Sequence, residues 1–182
     1  VTLHNPDKLN AVSAHMWREL ARVMEDLSAD EELRCVVVRG SGDHFAAGGD
    51  IHEFAALRDT LDRALVYHER WVAGALNAVS HCRHPVVALI RGNCIGGGLE
   101  IAAACDLRIC GASARFGVPI NRLGFAMAHG ELRGLLRVVS PAVALELLLE
   151  GRILSADEAY AKGLVSRVVA DDSLADEVAA TV

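Results

Sequence analysis

Short unbroken apolar runs alternate along this chain with longer stretches in which apolar side chains return every three or four residues. The runs "VTLH" at 1–4, "RCVVVRG" from residue 34, "VVALI" at 86–90, "DLRIC" at 106–110 and "LVSRVV" near the end read as strands. After Ser13, a good helix cap, Met16, Leu20, Val23, Met24 and Leu27 fall on one face of a helix over about 14–28. Leu61, Leu65, Tyr67, Trp71, Val72, Leu76 and Val79 keep helical spacing through a second region that runs up to Cys82. Further helices are predicted from about 98 to 104, at 130–139, 141–149 and 156–162, and from residue 174 onward. The helix at 156–162 carries a capping box, Ser155 with Glu158, and a terminating Gly163. Strands alternating with helices predict an α/β fold whose parallel sheet is buried on both faces by flanking helices. No linker or low-complexity segment interrupts the pattern, so one domain is expected over residues 1–182.

Two loops leave strand ends and enter helical regions with unusual glycine content: "GSGDHFAAGGDI" from residue 40 and "GNCIGGGLE" from residue 92. In α/β sheets, ligands collect at the carboxyl ends of strands. Glycine lets a ligand approach the peptide N–H directly, and amides at a helix start lack partners within the helix. Two such loops side by side would aim two N–H donors at one oxygen, which is how enzymes hold an enolate or a tetrahedral oxyanion. Glu100 follows the second loop and would stand near those donors. Other motifs fit worse. "GGGLEI" ends in Ile101 where a dinucleotide fingerprint needs Gly or Ala, and no P-loop or G-x-S-x-G elbow is present. His81 and His84 in "HCRH" lack a second cluster of ligands and read as a polar helix end, so no metal site is expected.

Composition narrows the picture. The chain of 182 residues is 52% hydrophobic with a formal net charge of −6, which excludes a disordered tail and gives no basic face for nucleic acid. No apolar run approaches the roughly 18 residues that a membrane span needs. Five cysteines, odd in number and irregularly spaced, read as reduced thiols of a cytoplasmic protein. The chain starts at Val1 inside an apparent strand, and both ends are expected to be truncated.

The segments "NPDKLNAV", "HFAAGGDI", "HPVVALIRGNCIGGGLEIAAACDLRI", "ARFGVP" and "EGRILSADEAYAKGLVSRVV" resemble the enoyl-CoA hydratase/isomerase (crotonase) family in order and spacing, over essentially the whole chain. The resemblance implies a superhelix of stacked β-β-α units assembled as trimers or dimers of trimers, and a coenzyme A thioester as substrate, with no separate cofactor. It implies that Gly49 and Gly97 donate the two N–H groups to the thioester oxygen and that Glu100 is a catalytic glutamate. It also implies that Lys8, Leu9, Ala11, Ala47, Asp50 and Ile51 lie along the coenzyme A moiety.

One departure bears on the reaction. The second glutamate of the hydratases follows the proline of FG-x-P, and here "FGVPINRLG" places Ile120 there. The usual P-G-x-G-G-T continuation is "MAHGEL" at 127–132, where Glu131 and His129 are candidate replacements beside their plainer reading as a helix-start acid and an exposed histidine. A double-bond shift needs one carboxylate and suits Glu100 alone best. Hydration assisted by Glu131 comes next, then thioester hydrolysis or decarboxylation. A non-catalytic acyl-CoA-binding protein is the alternative from another class. A serine peptidase on a related fold finds no base for Ser41 or Ser113.

Overall fold

A computed structural model describes residues 1–182. The chain opens with strand β1 (Thr2–Leu3), helix α1 (Ala14–Ala29) and strand β2 (Val36–Gly40). Short helices α2 (Phe54–Leu57) and α3 (Leu61–Leu65), a π-helical stretch Val66–Val72 and helix α4 (Ala73–Ser80) lead to β3 (Val86–Ile90). Strand β4 (Asn93–Ile95), helix α5 (Gly97–Ala104) and strands β5 (Leu107–Gly111) and β6 (Arg115–Gly117) follow. Then come α6 (His129–Val138), α7 (Pro141–Leu145), a second π-helical stretch Glu146–Glu150 and β7 (Ile153–Ser155). Helix α8 (Ala156–Ala161), strand β8 (Arg167–Val169) and helix α9 (Leu174–Thr181) complete the chain.

Five strands form a wholly parallel sheet in the order β1-β2-β3-β5-β8. Its central strand β3 is the run "VVALI", in which Val86, Val87, Ala88 and Ile90 are all buried, as a strand covered on both faces must be. On one face, Val87 and Ile109 pack with Leu174 and Val178 of α9. The other face joins a cluster of 37 buried residues that includes Trp17, Leu20 and Met24 of α1, Leu76 and Val79 of α4, and Leu99 and Ile101 of α5. A second sheet, β4-β6-β7, stands beside the first. Strand of the large sheet, strand of the small sheet and returning helix make one unit, seen in β3-β4-α5 and again in β5-β6-α6. These are the stacked β-β-α turns that the resemblance implies.

Local chemistry sets the element ends. The Ser13 hydroxyl accepts from Met16 N at 3.2 Å and starts α1, and Ser155 with Glu158 forms the reciprocal capping box of α8. The sequence reading differs from the fold mainly in the small sheet. "GNCI", taken as loop, and "ARFG", assigned to no element, hold β4 and β6, each three residues long and identifiable only by its pairing partners. All five cysteines are free thiols, and Cys94, Cys105 and Cys110 are buried. No helix is long and apolar enough to cross a membrane.

Candidate active site

The two glycine loops lie side by side. Ala46 bridges Cys94 in parallel, with Ala46 N donating to Asn93 O at 3.0 Å and Ile95 N to Ala46 O at 2.9 Å. This brings Gly49 next to the start of α5. Gly96 turns the chain into that helix with φ +49°, a conformation that favours glycine. At Gly97 a Cβ would stand 2.8 Å from Trp17 Cζ2, too close for a side chain, and 3.4 Å from Gly49 N, so the two loops lie against each other here. Gly98 is equally constrained, since its Cβ would meet Ala46 O at 2.5 Å. Gly97 is the first residue of α5, where the helix offers its N–H no acceptor. The Gly49 N–H has no hydrogen-bond partner within the protein either. Two unpaired amide donors therefore lie on adjoining loops at the start of α5.

They border a cavity of about 130 Å³. Glu100, in the first turn of α5, lines it and is only 8% exposed. Glu131, in the first turn of α6, lines it too and is 5% exposed. Small residues make that approach possible: a Cβ on Gly130 would sit 2.7 Å from Ala73 Cβ, so α6 rests directly on the start of α4. Burial pushes the Glu100 carboxyl well above its ordinary range, and the nearby charge of Glu131 adds to the effect. Ile120, at the position where the resemblance implies a second glutamate, lines the same cavity and is apolar. His129 is exposed and stands outside it.

Sequence reasoning missed three residues that the cavity wall carries: Arg58, Tyr67 in any polar role, and His68. His68 Nδ1 lies 2.5 Å from Glu131 Oε1, and Arg58 Nη1 lies 3.1 Å from His68 Nε2. The arrangement fixes the protons. A guanidinium can only donate, so Nε2 accepts from Arg58, which leaves Nδ1 to donate to Glu131 Oε1. Glu100 and Glu131, from the first turns of two different helices, thus face one cavity, and Glu131 is tied to Arg58 through His68. The π-helical stretch contributes to this wall. Its wider turn stacks residues five apart, placing both Tyr67 and Val72 on the cavity side together with His68. Burial raises the Tyr67 hydroxyl to about 12, so it stays protonated. Trp17 also lines the cavity, and its buried indole N–H makes no hydrogen bond of ordinary geometry within the protein.

The residues assigned by resemblance to coenzyme A divide into two groups. Ala47 and Ile51 line the cavity, Ile51 being well exposed at its edge. Lys8, Leu9, Ala11 and Asp50 do not line it. Lys8 Nζ pairs with Asp50 Oδ2 at 2.6 Å, and Asp50 Oδ1 accepts from His52 N, so both oxygens of Asp50 are committed. Burial works against the Asp50 charge, yet these bonds hold its pKa below the ordinary value. Leu9 O receives Ala47 N at 3.0 Å, which ties the N-terminal loop to the first glycine loop.

A parallel sheet flanked by β-β-α turns, with paired amide donors over a cavity holding two buried acids, defines an enzyme class that works on a developing oxyanion. The whole chain, residues 1–182, matches the sequence profile of the Enoyl-CoA hydratase/isomerase family. It belongs to that family. It is 38% identical over 180 residues to a probable enoyl-CoA hydratase of Mycobacterium leprae, covering 99% of this chain and 68% of that protein. It is 35% identical over 188 residues to the human mitochondrial Delta(3,5)-Delta(2,4)-dienoyl-CoA isomerase, covering 94% of this chain and 55% of that one. A crystal structure of an enoyl-CoA hydratase/carnithine racemase from Magnetospirillum magneticum superposes with a TM-score of 0.96 at 50% identity, over 99% of this chain and 67% of that one.

Proposed function

We propose that the protein adds water across the double bond of an enoyl-CoA thioester, with Glu100 and Glu131 as its two proton carriers. The observation that carries this reading is that both acids line one cavity beside the Gly49 and Gly97 amides. With Ile120 in place of the usual acid, sequence alone favours a double-bond shift on Glu100. Glu131 in the cavity wall supplies the second carboxylate and moves hydration to first place.

In the proposed reaction Glu131 takes a proton from water while the water oxygen bonds to the β-carbon. The electron pair of the double bond moves toward the thioester, and the charge settles on its oxygen between the Gly49 and Gly97 N–H groups. The enolate then collapses, and its α-carbon takes the proton held by Glu100. Both transfers are general acid–base steps, each contributing typically 10²–10⁴-fold. Only proton transfers and backbone dipoles are used, and coenzyme A enters as part of the substrate. Its adenine and pantetheine arm runs past Ala47 and Ile51, beside the loop of Lys8, Leu9 and Ala11 that the Lys8–Asp50 pair holds in place. We also propose a homotrimer or a dimer of trimers as the working assembly, and a cytoplasmic setting for its free thiols.

The product of a 2-enoyl-CoA incubation in deuterated water tests the reaction. A 3-hydroxyacyl-CoA with one deuterium at the α-carbon is expected. A product with a migrated double bond and no added oxygen would return the assignment to isomerisation.

A further inference from the structure

Arg58 is a charged group of the cavity that the proton transfers above do not use. It follows α2 directly and is half-buried. Its guanidinium lies 3.6 Å over the Phe54 ring centroid, 4.5 Å from that of Phe125 and 5.7 Å from that of Tyr67. Burial among these rings lowers its pKa, which marks a cation held where charge is poorly solvated. Yet no carboxylate pairs with it. The neighbouring acid in sequence, Asp59, pairs with Arg63 at 3.1 Å. Glu131 is reached only through His68, which takes one hydrogen from Nη1. The Nε and Nη2 edges of the guanidinium make no hydrogen bond to protein. Aromatic faces hold the group flat but cannot accept along its edge, where a planar fork matches a carboxylate in two parallel bonds.

Its place along the cavity says which part of a ligand would meet it. Phe54 Cζ lies 3.3 Å from where a Gly49 Cβ would be, and the guanidinium lies over the same ring. One aromatic ring therefore separates the cation from the amide that faces the thioester. A group bound there is joined to the thioester carbonyl by a chain of several atoms. We propose that Arg58 docks a carboxylate at the distal end of the acyl group, so that the preferred substrates are coenzyme A monothioesters of dicarboxylic acids. This deepens the acyl-CoA reading and rests on it.

Binding of unreactive saturated esters tests the idea apart from catalysis. Isothermal titration would compare succinyl- with butyryl-CoA, glutaryl- with pentanoyl-CoA and adipyl- with hexanoyl-CoA, on the wild type and on Arg58→Met and Arg58→Lys. In at least one pair the wild type should bind the carboxylated ester ~10-fold or more tightly, the scale of a charge-assisted bond. Arg58→Met should abolish that preference, and Arg58→Lys should keep part of it. Equal or tighter binding of the neutral ester in all three pairs would overturn the proposal. So would an Arg58→Met variant that weakens both members of a pair alike, since Arg58 would then read the shared coenzyme or act only through His68. Failure of all six esters to bind would overturn the acyl-CoA reading together with the proposal.

Discussion

Glu100 is a buried acid whose environment favours the protonated form, and this has a measurable sign. Burial and the charge of Glu131 raise its pKa above the ordinary 4.5 in the folded protein. Above that ordinary value the unfolded chain has released its proton while the folded chain keeps it. The folded state then binds more protons, so stability falls as pH rises, by up to about 1.4 kcal/mol per pH unit from this group. Glu100→Gln removes the titration. Chemical denaturation should show the variant gaining on the wild type between about pH 5 and pH 8, with little difference near the lower end; a constant gap would mean that Glu100 titrates normally. At Gly97 the constraint is steric. Gly97→Ala drives a methyl into Trp17 and should cost about 1–3 kcal/mol in a melting experiment, with a larger loss of turnover as the two amides separate. The glycines and Glu100 were legible in the sequence because each belongs to one short motif. Glu131 was legible only as a candidate in the altered loop, and Arg58 and His68 were not legible at all, because nothing in their spacing signals that three separate elements place them in a row.

Among the elements, those that form by local rules were readable and those that form by pairing were not. Helix α1 has its cap and one apolar face, α8 has its capping box, and β3 is a continuous apolar run. Strands β4, β6 and β7 are three residues each, too short for any periodicity, and exist because they lie against one another. The π-helical stretch Val66–Val72 reads as ordinary helix in sequence, since its apolar spacing tolerates either register. What brings Glu131 to Glu100 is the seat of α6 on Ala73, which Gly130 alone permits. Gly130→Val should push α6 outward and lower kcat by about tenfold or more, since small misplacement of a reacting group is costly. Affinity for a saturated acyl-CoA should change much less. A kcat equal to the wild type would show that Glu131 does not depend on this contact.

For the molecule as a whole, the parallel sheet and stacked turns were foreseeable from strand–helix alternation and from the family motifs. The cavity was not, because its wall is drawn from α1, α5, α6, the π-helical stretch and both glycine loops. A ligand that binds only the folded chain stabilises it by about 2.7 kcal/mol at a hundred times its Kd. Acetyl-CoA and longer saturated esters should therefore raise Tm, while the acyl group alone as a free acid should do so weakly. Sedimentation should give three or six times the 19.4 kDa chain if the proposed assembly forms. The central claim, that Glu100 and Glu131 act as one pair, is tested most directly by the hydration kinetics of Glu100→Gln, Glu131→Gln and the double variant on a 2-enoyl-CoA. Each single variant should lose ~100-fold or more in kcat with little change in KM, and the double variant should be scarcely worse than the poorer single, as expected of groups that work as a unit. Undiminished hydration by Glu131→Gln would contradict the account.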